Sequence, residues 1–203
     1  MKKFEVLTRS RRKYRTKPYD KNNSEKAYLI GLRIGDLNVQ RHRRQIKIRT
    51  STSHPAMLNL FRRTLQKYAH INQFPMFHKS KKPYFDWQIY GLFDKSFEFL
   101  LPKTLPRQIL SDESSFLAFL AGYTDADGCI SITHHYNQLV FYYILASENY
   151  KLLVQISNKL KKLTYSPSLR ISKKEGERNY SKDYWELRIA TKSEDLRPMP
   201  ERE

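Results

Sequence analysis

Two aspartates, Asp36 and Asp127, each close an apolar run rich in small residues, and the two runs are copies of one another. The downstream copy is Phe119-Leu120-Ala121-Gly122-Tyr123-Thr124-Asp125-Ala126-Asp127-Gly128; the upstream copy, more diverged, is Leu29-Ile30-Gly31-Leu32-Arg33-Ile34-Gly35-Asp36-Leu37. Small residues recur four apart in both, Gly31 with Gly35 and Gly122 with Ala126, which puts each pair on one helix face. Two such faces can pack with their backbones close, a steric argument that does not depend on lipid. A helix ending on Asp is locally unfavourable because its C-terminal carbonyls are already negative, and two of them side by side are worse. A hard divalent cation between the carboxylates removes the conflict, as oxygen ligands bind Mg²⁺ with several waters retained. A metal held there can activate water and stabilise the leaving oxygen of a phosphodiester displacement. Asp125 is different: its counterpart is Ile34, so it reads as structural, a local cap.

The elements that must position these acids follow an α+β plan stated twice. Ser24 is the expected N-cap of the first run, and Leu37–Thr52 alternates around Ile46 and Ile48 as a hairpin. A helix is expected over Ala56–Tyr68 after His54-Pro55, with strands near Gln73–His78 and Tyr84–Leu92 and a helical piece at Lys95–Leu101. Ser111 is the expected cap of the second run. Strands are then expected at Cys129–His134 and Leu139–Ala146, a helix at Tyr150–Leu163, and strands near Ser168–Lys173 and Tyr184–Ala190, with the last helix missing or cut short after Lys192. The expected divisions are a basic arm at 1–23, a first half at 24–104, a linker at 105–110, a second half at 111–197 and a tail at 198–203. Ser53 and Trp87 in the first half are answered by Ser147 and Trp185 in the second.

Composition narrows the partner. Lys and Arg outnumber Asp and Glu by 38 to 20, a formal charge of +18, which points to a polyanion. A 39% hydrophobic and 13% aromatic content is too rich for a disordered chain. Fourteen Tyr and eleven Phe among the basic residues suit nucleic acid better than a membrane, since no long apolar run is present. Cys129 is the lone cysteine, so neither an intramolecular disulfide nor a Cys-rich zinc site can form, and an intracellular, reducing compartment is expected. The arm at 1–23 carries nine Lys or Arg and reads either as a phosphate-tracking segment or as a solubilising tail. His134-His135 near Asn137 does not make a nuclease pocket, because adjacent strand residues face opposite ways.

The repeated runs resemble the motif of the LAGLIDADG homing endonucleases. The second copy matches the family word at Leu120, Ala121, Gly122, Asp125, Ala126, Asp127 and Gly128; the first matches at Leu29, Gly31, Leu32 and Asp36, with Leu37 in place of the closing Gly. The resemblance implies a single-chain protein of two pseudo-symmetric αββαββ halves, with antiparallel saddle-shaped sheets packed through the two motif helices. It also implies a monomer that binds a long asymmetric double-stranded DNA site and makes a metal-dependent double-strand break. Asp36 and Asp127 would be the metal-binding acids, joined by the backbone carbonyls of Gly35 and Ala126. The cofactor would be Mg²⁺ or another divalent cation such as Mn²⁺, with Ca²⁺ as a non-cleaving substitute. A basic residue near the scissile phosphate is matched by Lys103 in the first half, and Lys192 is the candidate near the equivalent end of the second. Ser53 and Ser147 read either as holders of solvent near the site or as helix N-caps.

In the family the sheets lie along the major groove, so polar strand residues become base readers. The candidates are Arg41, Arg43, Arg44, Lys47 and Arg49 in the first half, the basic turn Lys79, Lys81 and Lys82, and Gln138, Arg170, Lys173 and Arg188 in the second. Two alternatives share the scaffold: an intron maturase that binds RNA, and a DNA-binding regulator that has lost catalysis.

Overall fold

The computed structural model describes residues 14–20, 22–79, 83–135, 138–177 and 180–192. In chain order the elements are α1 (Asn23–Ile34), β1 (Asn38–His42), β2 (Gln45–Thr52), α2 (Pro55–Leu65), β3 (Ile71–His78), β4 (Tyr84–Phe93) and a 3-10 helix (Lys95–Leu100). They continue with α3 (Arg107–Ser111), α4 (Glu113–Asp127), β5 (Gly128–His135), β6 (Gln138–Ser147), α5 (Tyr150–Lys162), β7 (Ser168–Lys173) and β8 (Tyr184–Lys192). Two antiparallel four-stranded sheets result, ordered β1-β2-β4-β3 and β5-β6-β8-β7, so the second half restates the topology of the first. The α+β expectation of two pseudo-symmetric halves holds.

Helix starts are set by side chains one or two residues from those expected. Asn22, not Ser24, accepts the Glu25 N–H at 2.9 Å, and Asp112, not Ser111, accepts the Ser115 N–H at 2.7 Å. Ser111 instead closes α3, a short helix that begins inside the stretch read as a linker and is anchored by buried Ile109. Neither Ser53 nor Ser147 is an N-cap. His54 caps α2 through Nδ1 and Asn149 caps α5 through Oδ1.

The chain separates into two compact units. One holds Leu37–Leu101 with the described part of the N-terminal stretch. Ile46, Ile48, Ile89 and Phe93 alternate onto one face of its sheet, covered by Phe97 and Leu100 of the 3-10 helix and by Leu58, Phe61 and Leu65 of α2. Residues 14–20 are not a free arm. Tyr19 is buried, its ring 5.4 Å from Phe97 and 5.7 Å from Tyr68, while its N–H bonds Ser96 Oγ at 2.8 Å and Lys17 N–H bonds the Tyr68 carbonyl. Replacing Tyr19 by Ala is expected to cost about 3 kcal/mol, the ordinary range for emptying a buried aromatic site. A urea titration should show it as a lower midpoint with an unchanged slope.

The other unit holds Asn22–Asp36 with Pro102 onward, so both motif runs belong to it. Leu145 and Leu187 of its sheet face Leu153, Ile156 and Leu160 of α5, and Phe116, Phe119 and Tyr123 of α4 are fully buried. Thr124 hydroxyl and Tyr143 hydroxyl are 2.6 Å apart and tie α4 to β6. Among the described residues no helix is long and apolar enough to cross a membrane.

Candidate active site and nucleic-acid interface

The small-residue faces of the two runs meet. α1 packs along α4 more extensively than any other pair of helices. A β-carbon on Gly31 would lie 2.2 Å from the Phe119 carbonyl oxygen, and one on Gly122 would lie 2.0 Å from the Tyr28 carbonyl oxygen, so backbone touches backbone. The contact runs to the C-terminal ends, where a β-carbon on Gly35 would lie 2.3 Å from Ala126 Cβ and 3.2 Å from Asp127 Oδ2. Tyr28 hydroxyl donates to Asp125 Oδ2 at 2.6 Å, so Asp125 has a structural role in tying the helix pair together and is not a local cap.

Asp36, just past Gly35, and Asp127, the last residue of α4, therefore arrive at one place. Both are exposed to solvent on one side. Burial nevertheless pushes the Asp36 carboxyl up from the ordinary aspartate value, with Lys103 pulling the other way. Asp127 is raised by burial first and by the Asp36 charge second, again opposed by Lys103. The pair is short of positive charge. Lys103 supplies one, its Nζ donating to the Gly35 carbonyl at 3.2 Å. The ammonium bonds a carbonyl that a divalent cation would use and is attracted by both carboxylates, so the donor set fits a hard cation. Among the described residues no group of three or more His, Cys, Asp or Glu sits together, so such a cation would depend on two carboxylates, carbonyls, water and a ligand of its own.

Both raised aspartates bear on stability. A carboxyl whose folded-state pKa lies above its unfolded value destabilises the fold once it ionises; stability is fullest below the unfolded value and is lost as pH rises through the folded one. Asp36→Asn and Asp127→Asn remove that penalty. The Tm advantage of either variant over the parent, measured without metal, is expected to be near zero at acidic pH and to grow as pH rises past the carboxylate range. Mg²⁺ should close the gap at neutral pH by stabilising the parent alone.

A cavity of about 360 Å³ opens beside Asp127, lined by Lys103, Ser147, Asn149 and Tyr184 among others. Burial pushes Tyr123 up to about 12, against a hydrogen bond from Ser147, and the same cause raises Tyr184. Ser147 thus lies at the site, its Oγ accepting the Asn149 N–H at 3.1 Å. Tyr184 was not among the sequence candidates. Its only signal was its place beside the repeated landmark Trp185.

Lys192 is placed elsewhere. Its backbone pairs with Val140, at the opposite end of β6 from Ser147. Gly128, Leu145 and Leu187 lie level across the sheet, and Lys192 is five residues further along β8, on the order of 17 Å at strand rise. Its backbone therefore lies far along the sheet from the exit of α4, where Asp127 sits.

The basic strand residues divide by face. In the first sheet Gln40 is opposite Lys47 and Asn38 opposite Arg49, all outward, with Arg49 Nε donating to Asn38 Oδ1 at 3.3 Å. Arg41 is opposite Ile46, on the inward face, and pairs with Glu98 at 3.1 Å. Arg43, in the left-handed region at φ 56°, and Arg44 make the β1–β2 turn and line a cavity of about 370 Å³ with Arg41, Lys95 and Glu98. Lys79 is exposed after β3; Lys81 and Lys82 lie outside the described residues. In the second sheet Glu186 accepts from Arg170 at 2.9 Å and from Arg188 at 3.0 Å, forming one outward cluster whose Arg188 lies over the Tyr142 ring. Lys173 lies over the rings of Tyr180 and Tyr184. The backbones of Gln138 and Lys192 are strand, and their side chains lie outside the described part.

Residues 116–197 match the family described as LAGLIDADG-like domain. The homing endonuclease I-WcaI bound to its DNA recognition sequence is similar in structure, with a TM-score of 0.59 at 16% identity over 83% of this chain and 76% of that one. This is a LAGLIDADG-fold protein. A variant of I-DmoI in complex with its target DNA in the presence of Mg has a TM-score of 0.50 at 16% identity, over 82% of this chain and 89% of that one. Full-length DUF199/WhiA from Thermatoga maritima has a TM-score of 0.50 at 20% identity, and this chain, 85% of it matched, spans about half of that one. No curated protein sequence matches. Of the two close-packed helices, α4 lies almost wholly within the matched stretch, and the exits of both carry the acids.

Proposed function

We propose that this LAGLIDADG-fold protein is a monomeric, site-specific DNA endonuclease that uses a divalent cation to break both strands of a long asymmetric duplex site. The observation that carries the reading is the convergence of Asp36 and Asp127, both raised by burial, at the ends of two helices in backbone contact, with Lys103 bonded to the neighbouring Gly35 carbonyl. Helices brought this close, each ending on an acid, make a poor structural device and a good cation site.

The two carboxylates and the Gly35 and Ala126 carbonyls would hold Mg²⁺ or Mn²⁺. When bound, such a cation activates water and offsets charge on the leaving oxygen. The remaining work falls to the chain. Lys103 places a fixed positive charge where a phosphodiester gains negative charge during displacement. Helices α1 and α4 hold the acids in register, and the outward residues of the two unlike sheets, Lys47 and Arg49 in one and Arg170 and Arg188 in the other, read unlike half-sites.

Selection from a randomised duplex library in Ca²⁺, followed by Mg²⁺, tests the reading. One long non-palindromic sequence should be enriched and then cut on both strands near its centre. Enrichment without cutting would overturn the nuclease in favour of a DNA-binding regulator, and preference for structured intron RNA over any duplex would favour a maturase.

A further inference from the structure

Phe74 and Met76 are 45% and 41% exposed on β3, and Phe77 and Phe85 on the other face of the same ribbon are exposed too. Register places both on the outward face of the first sheet: Arg49 is opposite Tyr90 and Tyr90 opposite Asn72, and Phe74 and Met76 follow Asn72 at steps of two. Lys47 and Arg49 supply positive charge on that same face. β2 ends its pairing at Thr52 opposite Trp87, so Met76, with 53%-exposed Tyr84 nearby, stands on a two-stranded ribbon that extends beyond the rest of the sheet. The major groove of duplex DNA admits such a ribbon.

Asp86, opposite Met76 on this face, is held by His78 at 3.2 Å and by Gln88 at 3.1 Å. That leaves Phe74 and Met76 as the apolar groups beside the cationic part, and apolar groups match one feature of duplex base edges, the thymine C5-methyl group. Residues two apart on one strand face are about 6.8 Å apart, close to two base-pair steps of about 3.4 Å. We propose that Phe74 and Met76 read thymine methyl groups at two positions about two base pairs apart, in the outer part of the half-site bound by this sheet. The inference rests on the duplex-DNA reading above. Stacking on unpaired bases is the competing use of exposed aromatics. It fits less well here, because Phe74 is held edge-on to Tyr90 at 6.5 Å and Lys47 lies over the Tyr90 ring at 5.0 Å.

The test uses the selected duplex with uracil substituted for thymine in the outer segment, which removes only the methyl groups. Wild-type protein should enrich thymine two base pairs apart and lose about tenfold in affinity on the exchange, the scale of one disfavoured base pair. Phe74→Asn and Met76→Gln should bind the thymine duplex less tightly and respond to uracil by less than about twofold. Both sites are exposed, so an unchanged Tm confirms that each variant is folded. Absence of thymine in that segment, or a wild type indifferent to uracil, overturns the inference while leaving the duplex reading intact. Failure to enrich any duplex overturns both, and tighter binding to single-stranded RNA would assign Phe74 to base stacking instead.

Discussion

Gly122→Ala is expected to remove about 3 kcal/mol or more of folding stability, as much as losing a large core side chain. The added methyl would sit 2.0 Å from the Tyr28 carbonyl oxygen and 2.9 Å from its carbon. Both are backbone atoms inside a helix, so neither can swing aside as a side-chain end would. Relief requires α1 and α4 to separate. Separation loosens the packing of Leu29, Leu32, Phe116 and Phe119, all buried, and strains the Tyr28–Asp125 hydrogen bond. It also moves Asp36 from Asp127, so activity should fall even where the variant remains folded. Gly31→Ala meets the Phe119 carbonyl at 2.2 Å and should behave alike. Ala121, exposed on the same helix, is the control: Ala121→Ser should shift the urea midpoint little.

Asp127→Asn and Asp36→Asn should each lower DNA cleavage by on the order of 10³-fold, the scale on which single electrostatic groups at a reacting centre act. The exchange keeps size and shape and removes one negative charge from a site where two carboxylates repel. Duplex affinity should hold or rise, because DNA is a polyanion. Stability without metal should rise at neutral pH, for the reason given with the pKa directions. A rise in stability with a collapse in activity separates a catalytic acid from a structural one. If Asp127 only supported the fold, its replacement would lower both together.

The two acids were legible because a nine-residue word and its displaced echo carry them, and because close helix packing requires the small residues that mark both copies. Strand and helix order were legible from alternation and punctuation. The caps were not, because Ser24, Asn22, Ser111 and Asp112 are all competent and the choice depends on where the chain enters the helix. Arg41 was read by residue type. The alternation of buried Leu37 and Val39 already put position 41 on the inward face, where Glu98 holds it. Lys192 was placed by its position near the end of the last strand, and strand order alone does not say which end lies at the site. Tyr19 gave no periodic signal within a basic segment; its burial comes from Phe97 and Tyr68, remote in sequence.

Mn²⁺ binding to the protein–duplex complex, followed by electron paramagnetic resonance for the parent, Asp36→Asn and Asp127→Asn, addresses the shared metal site most directly. The parent complex should take up Mn²⁺ tightly, and either single substitution should abolish that uptake while the protein stays on the DNA. Unchanged Mn²⁺ affinity and stoichiometry in both variants would contradict the assignment of Asp36 and Asp127 as one cation site.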